Sequence, residues 1–335
     1  MGDARGVNAS EHADASAQDV TGPPEVSVVI VNWNAKDLLR QCLLSIREQT
    51  RLACEVLVVD NASADGSADM IRHDWPTVKL IANSVNRGFA AANNQALVIA
   101  QGRYVVLLNP DTIIVDGAID KMVDWCDERP DVGCAGCQVM MSDTEIQKTC
   151  FADHSPFTLV LAETGLARVF SRSSILGRPA YSWWDRRSEM DVDVVSGMFM
   201  LIPRSVLDKV GLLDESFFVY AEEADLCRRI RQAGFRCVFT PIVRIMHLDG
   251  GGKSADQVSV KMHVQLQKSL LVYIDKHYGR AGRAAAKTTL MASKSMRYVL
   301  LRCLSVVSRS PVLQQRIRQE RASVLYHVFG VEPNE

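Results

Sequence analysis

The stretch Tyr104-Val-Val-Leu-Leu-Asn-Pro-Asp111 decides how this chain is read. An apolar run of strand length enters a Pro-stiffened turn that closes on a carboxylate, so Asp111 is expected at the C-terminal end of a buried strand. Open α/β sheets bind ligands at that edge. A hard divalent cation bridging two phosphates needs an oxygen held there. The same tripeptide can simply end a strand, so its meaning comes from its flanks.

Upstream, apolar runs alternate with stretches of helical period, which predicts βα units feeding a mostly parallel sheet flanked by helices. Val26 to Val31 reads as the first strand and Asp37 to Arg47 as a helix. Glu55 to Val59 is a second strand that stops at Asp60 and the turn-rich loop to Ser67. Val78 to Ala82 is a third, followed by a loop to Phe89 and an Ala-rich helix from Ala90 to Ala100; the fourth is read as ending at Asp111. Downstream, the pattern predicts a helix over Ala118 to Glu128, a strand over Val132 to Met140, and a strand over Ser196 to Ile202. Helices follow over Ser205 to Val210 and Glu222 to Gln232, then a short strand over Cys237 to Phe239. Residues 141–190 show no clean period and are expected to form an acceptor-facing excursion.

With 335 residues, 47% hydrophobic content and net charge −1, the chain can bury a sizeable core. Residues 1–24 lack an apolar core segment and a basic start, and are read as a disordered tail rather than a signal peptide. Residues 25–280 are expected to form one domain and residues 281–335 a C-terminal extension of basic amphipathic helices. The nine cysteines are scattered and odd in number, which suits reduced thiols in the cytoplasm; Cys134 and Cys137 form a Cys-x-x-Cys without a second pair, and buried thiols are expected. From Lys276 to Arg321 there are eleven basic residues against one acidic, interleaved with apolar ones. That tract fits an anionic membrane surface, or else solvated helices packing on the body or on another subunit. It contains no recognisable nucleic-acid-binding module, so no nucleic-acid partner is expected.

In order along the chain stand Val28-Val-Ile-Val-Asn-Trp-Asn34, Val59-Asp-Asn-Ala-Ser-Ala-Asp-Gly-Ser67, Asn86-Arg-Gly-Phe-Ala90 and Leu107-Leu-Asn-Pro-Asp111. Asp214 to Arg228, with its Glu222-Glu223-Ala224-Asp225, comes next, and His247 with Gly250-Gly-Gly-Lys-Ser254 closes the set. Together these resemble the inverting glycosyltransferases of family 2, which have the GT-A fold, and especially the bacterial rhamnosyltransferase-like members. The resemblance covers roughly residues 25–280 and rests on several spaced motifs in order.

The resemblance implies a nucleotide-diphosphate sugar donor held by Asn32, Asn34, Asp60, Arg87, Gly88, Asn109, Lys253 and Ser254. Asp60 would read the base or ribose, although a turn residue or helix cap would also be placed there. Gly88 permits close backbone approach and Arg87 can meet phosphate. Asp111 matches the last carboxylate of the family's Asp-x-Asp metal motif, whose first position here is the uncharged Asn109, and His247 resembles the further metal ligand. The implied cofactor is Mg²⁺ or Mn²⁺. At the family's general-base position stands Glu223, one methylene longer than the usual Asp, which leaves the base open between Glu223 and Glu222.

The reading is therefore an inverting glycosyltransferase moving a sugar, with L-rhamnose from dTDP-rhamnose as the family-level expectation, onto a cell-surface glycan or polyprenyl-linked saccharide. It is expected in the cytoplasm, with peripheral contact at the inner face of the membrane. The alternative, motivated by Asn109 and Glu223, is a catalytically inactive nucleotide-sugar-binding or scaffold protein. A nucleotidyltransferase would want a basic Gly-rich loop after the first strand, where Asn32-Trp33-Asn34-Ala35 stands instead.

Overall fold

In the computed structural model, which describes residues 22–142, 144–248, 260–308 and 310–333, the first half of the chain forms four parallel strands. β1 (Val26–Asn32) lies between β2 (Cys54–Asp60) and β4 (Tyr104–Leu108), with β3 (Lys79–Ala82) outside β2. The chain returns through α1 (Lys36–Gln49), α2 (Ser67–Asp74) and α3 (Phe89–Ile99). Side chains alternate across a strand, so β1 feeds two cores. Val28 and Ile30 pack with Leu39, Leu43 and Ile46 of α1, whereas Val29 packs with Leu57 and Val59 of β2 and with Ala96 and Leu97 of α3.

β4 stops at Leu108, three residues earlier than the sequence reading placed it. Residues 109–111 form a turn instead: Pro110 has no N–H for the ladder, and the Asn109 carbonyl accepts from Thr112 Oγ1 at 2.7 Å. The turn leads into β5 (Thr112–Ile114), α4 (Ala118–Asp127) and β6 (Val132–Met140). The excursion holds short pieces: β7 (Ile146–Gln147), β8 (Cys150–Phe151), α5 (Pro156–Glu163), α6 (Leu166–Val169), β9 (Met190–Asp191) and β10 (Val194–Val195). Then follow β11 (Phe199–Pro203), α7 (Arg204–Val210), α8 (Glu222–Gln232) and β12 (Arg236–His247).

The main sheet runs β3-β2-β1-β4-β11-β6-β12-β5. The expected parallel arrangement holds through β4. Beyond it the sheet is mixed, because β11 enters antiparallel between β4 and β6, and β5 pairs antiparallel with β12. β6 and β12 are parallel to each other. Two reversals through β11 restore the direction of β4, so β12 also points its C-terminal end to the edge where β1, β2 and β4 finish. β12 is far longer than the predicted Cys237 to Phe239. A register shift between Thr240 and Arg244 accommodates Pro241, which hid the continuation.

Two helices close the chain, α9 (Val260–Leu304), which is broken at Gly279 by a positive φ of 67°, and α10 (Pro311–Phe329), which packs back on α9. Charged networks tie α9 to the body. Asp153 accepts from Tyr273 and Tyr278 and pairs with Arg228 at 2.9 Å. Asp225 of α8 meets Arg229 at 2.9 Å and both Lys276 and His277 at 2.7 Å. Lys294 reaches Glu163 of α5 at 3.1 Å. Among the described residues no helix is long and apolar enough to cross a membrane. The N-terminal tail expected over 1–24 lies almost entirely outside the described residues.

Candidate active site at the carboxyl edge of the sheet

Asn32 and Asp60 end β1 and β2 directly opposite each other in the ladder, and both are buried. Asn32 Nδ2 donates to Asp60 Oδ1 at 3.0 Å and to Ser63 Oγ at 3.1 Å, while the Ser63 backbone N–H donates to Asp60 Oδ2 at 3.1 Å. Asp60 therefore shapes its own loop, as a turn residue would. Each of its oxygens keeps a second lone pair for a ligand. Asn34 adopts a left-handed φ of 53° and ties the two loops: its N–H donates to Ser63 Oγ at 2.9 Å and its Oδ1 accepts from the Ala64 N–H at 2.7 Å.

Asn61 is a hub that the sequence reading gave no role. Its Nδ2 donates to Asn86 Oδ1 and the Gly88 carbonyl, and its Oδ1 accepts from the Arg87 N–H and Asn83 Nδ2. All of its polar capacity is spent on holding the Asn83–Gly88 loop. Arg87 is exposed. Gly88 has a φ of 83°, and a Cβ there would meet the Phe218 carbonyl oxygen at 2.3 Å. The close approach that Gly88 permits is thus made by the chain's own backbone. The next N–H, of Phe89, donates to that same Phe218 oxygen at 2.6 Å. This contact fastens the loop before α8 to the start of α3, which brings the N-terminus of α8 to the carboxyl edge.

Asp111 sits on the turn after β4, and His247 ends β12 in register with Thr112. His247 Nε2 stands 3.0 Å from Asp111 Oδ2, and its Nδ1 stands 2.8 Å from Gln147 Oε1. A glutamine carbonyl oxygen only accepts, so Nδ1 carries a hydrogen toward Gln147 and the ring is held with Nε2 directed at the carboxylate. A proton or a cation fits between Nε2 and Oδ2. Asp111 Oδ1 is also buried without a partner. An oxygen and an imidazole nitrogen, the latter oriented from behind by an amide, make a donor set suited to Mg²⁺ or Mn²⁺. Gln147 belongs to the stretch that showed no period, and only its place on β7 reveals it.

Glu222 and Glu223 open α8 after two consecutive residues in left-handed conformation, Tyr220 (φ 71°) and Ala221 (φ 69°). Each carboxyl accepts its own backbone N–H at the start of the helix, yet the Oε2 atoms of both are buried without partners, so the first-turn N–H groups satisfy only part of each carboxyl. Burial, then the neighbouring Glu223 charge, pushes the Glu222 carboxyl well above the usual range. Burial raises Glu223 to about 7. Burial and mutual repulsion thus raise both carboxyls of the pair, and one proton is held between them more tightly than on a free carboxylate. Asp225 bonds Arg229, while Arg228 turns away to Asp153.

Lys253 and Ser254 fall within 249–259, outside the described residues. Cys134 and Cys137 are both buried and free. Three positions apart on β6, they face opposite cores, and Cys134 lies instead beside Cys227 and Cys237. A broad cleft at the opposite edge of the sheet, lined by Arg47, Trp75 and Lys79, holds none of the candidate residues.

Residues 27–166 match the glycosyl transferase family 2 profile. The chain is 26% identical over 291 residues to N-acetylglucosaminyl-diphospho-decaprenol L-rhamnosyltransferase of Mycobacterium tuberculosis, covering 82% of this chain and 92% of that one. It is 28% identical over 250 residues to the O-antigen biosynthesis protein RfbC of Myxococcus xanthus, covering 71% of this chain and 18% of that one. Among solved structures, a mannosyltransferase from Pyrobaculum calidifontis in complex with GDP-Man and Mn²⁺ superposes with a TM-score of 0.53 at 18% identity, covering 96% of this chain and 92% of that one.

Proposed function

From the premise that this chain carries a glycosyltransferase family 2 domain on the GT-A fold, we propose that it transfers a sugar from a nucleotide-diphosphate donor to a saccharide hydroxyl with inversion. The observation that carries the reading is the gathering of buried acceptors without partners at one sheet edge: Asn32 Oδ1, Asp111 Oδ1 and the Oε2 atoms of Glu222 and Glu223. Buried polar atoms are ordinarily paired, so such a set marks where a ligand's donors and charges belong.

Asn32 and Asp60 receive the base and ribose, with Asn34 and Asn61 holding their loops. Arg87, Asn109, Lys253 and Ser254 are assigned to the donor's phosphate and sugar side. Asp111 and His247 would hold the divalent cation, which when bound neutralises the departing diphosphate. Glu223 takes the proton of the acceptor hydroxyl as its oxygen bonds to the anomeric carbon and the bond to the diphosphate breaks on the opposite face. Glu222 hydrogen-bonds Glu223, and burial of the pair disfavours a second negative charge in the site.

The mycobacterial relative's name supports L-rhamnose as the sugar and a polyprenyl-diphosphate-linked saccharide as the acceptor. Such an acceptor places the enzyme at the inner face of the cytoplasmic membrane. The test is a panel of nucleotide sugars screened for thermal stabilisation with Mn²⁺. A donor present at about 100 times its Kd stabilises by roughly 2.7 kcal/mol. dTDP-rhamnose is expected to give the largest shift. A panel in which no nucleotide sugar moves the transition would overturn the function, and a different preferred sugar would overturn only the rhamnose assignment.

A further inference from the structure

We infer that the tip of the α9–α10 hairpin is a membrane-docking wedge for anionic lipid. The C-terminal helices are not uniformly covered. α9 buries Ala286, Leu290, Ser293 and Lys294 against the body and α10 buries Ile317, Glu320 and Ala322, yet no described residue from 295 to 316 is buried. Arg297 is the last residue of α9 tied to Glu163, seven positions before the helix ends at Leu304, so α9 runs on by about 10 Å past that tie.

What it projects is apolar. Val299, Leu300, Leu304, Val306, Val307 and Val312 are all exposed, Val306 by 85% and Val307 by 89%. Isolated exposed apolar residues are commonplace, but six within fourteen positions around one turn make a contiguous patch that needs an occupant. Arg297 is taken up by Glu163, but between 298 and 318 the sequence holds Arg302, Arg309, Arg316 and Arg318 and no carboxylate. An apolar tip collared by guanidinium groups complements a surface that is hydrocarbon below and negative above. A second copy is the poorer occupant, because a two-fold contact sets the same patch against itself and would bring the two arginine collars together.

The proposal differs from a helix lying flat along the bilayer. Here the hairpin stem is a bracket fixed to the catalytic body by Lys294 and Glu163, and only the turn enters the headgroups. It rests on the membrane location proposed above and not on the transfer chemistry, so failure of one leaves the other standing.

Cys303 supplies a probe, being the one exposed cysteine of the nine. The full chain labelled there with an NBD fluorophore is mixed with vesicles of phosphatidylcholine alone or with about 30% phosphatidylglycerol. Vesicle flotation is followed in parallel, and the mass of the unlabelled protein is measured by light scattering. Blue-shifted, brighter emission and flotation are expected with the anionic vesicles only, weakened by high salt because screening shortens the reach of the arginines. Val306→Asp/Val307→Asp, two exposed positions that leave the packed stem intact, is expected to reduce flotation at least roughly tenfold. Donor-induced thermal stabilisation should be unchanged in this variant, which separates loss of docking from loss of folding. Absence of anionic-vesicle binding, equal binding to neutral vesicles, or undiminished flotation of the double variant would overturn the wedge. A wild-type dimer that the double variant converts to monomer would overturn it in favour of self-association.

Discussion

His247 and Asp111 face each other at 3.0 Å across the β5–β12 edge, with Asp111 Oδ1 buried and unpartnered beside them. The Leu248 N–H donates to the Asp111 carbonyl at 2.9 Å, so the two backbones are fixed as well as the side chains. If this pair holds the cation, Asp111→Ala and His247→Ala should each weaken Mn²⁺ binding by tenfold or more. That is read by electron paramagnetic resonance in the presence of nucleoside diphosphate, without reference to turnover. Unaltered Mn²⁺ affinity in both variants would remove the assignment.

Gln147 touches neither donor nor acceptor in this proposal, and it acts by holding His247 Nδ1 at 2.8 Å. Outer partners of metal-binding histidines typically contribute 10–100-fold in metal affinity. Gln147→Leu is therefore expected to raise the Mn²⁺ concentration required for half-maximal activity by roughly tenfold, with kcat at saturating metal little changed. A loss confined to kcat would mean that Gln147 does something other than orient the ring.

Glu223 is raised to about 7 by burial, so wild-type kcat/KM should climb with pH through that region as the base ionises. Glu223→Gln should keep donor-induced thermal stabilisation, lose roughly 10²- to 10⁴-fold in transfer and lose the limb near pH 7. Glu222→Gln is the control. It preserves a hydrogen-bond donor toward Glu223, so it should retain most activity. If the two variants exchange behaviours, the base is Glu222.

The same raised carboxyl has a consequence for stability. A group that binds its proton more tightly folded than unfolded contributes below about pH 4.5, and that contribution fades as pH rises toward 7. At pH 8 the buried charge on Glu223 is a liability that Glu223→Gln removes. The variant is expected to melt higher than wild type at pH 8, by an amount on the order of 1 to 3 kcal/mol, and to match it near pH 5. Calorimetry at the two pH values measures this. Equal melting temperatures at pH 8 would show that the pair is not strained by its burial.

The sequence made Asp60 and Asp111 legible because each follows a short apolar run with no interruption, so strand, edge and carboxylate could be located together. His247 was reachable only through family resemblance, since Pro241 and the bulge at Thr240 broke the pattern of the strand that carries it. Gln147 had no local signal at all. Its place behind His247 depends on β7 pairing with β6 beside β12, which is tertiary information. Gly88 was legible as a special conformation, but not the identity of its neighbour, because Phe218 lies far along the chain. The C-terminal basic tract showed its helical character in its spacing. Which part of it is covered was set by Glu163 and Lys294, a pair 131 positions apart.

Asp225 tests how the C-terminal helices support the site. Its carboxylate is fully buried and receives Arg229 of its own helix with Lys276 and His277 of α9, two residues beyond the opening glutamates. Burial alone would raise it, but the hydrogen bonds from Lys276 and Arg229 outweigh that and hold it below the usual carboxylate range. A depressed carboxyl stabilises the fold above its unfolded value near 3.9 and loses that contribution as pH falls through its folded one. Asp225→Asn should therefore destabilise by about 2 to 4 kcal/mol, somewhat less than a fully buried pair, because Lys276 and Arg229 reach solvent. In urea titrations the gap from wild type should stay constant between pH 7 and 5 and close only below about pH 4. A variant with an unchanged midpoint at pH 7 would show that the Asp225 network does not hold α9, which would then rest on the Asp153 and Glu163 contacts and on its apolar packing. The glutamates of α8 would then owe their placement to the Phe218 contact with Gly88 and Phe89.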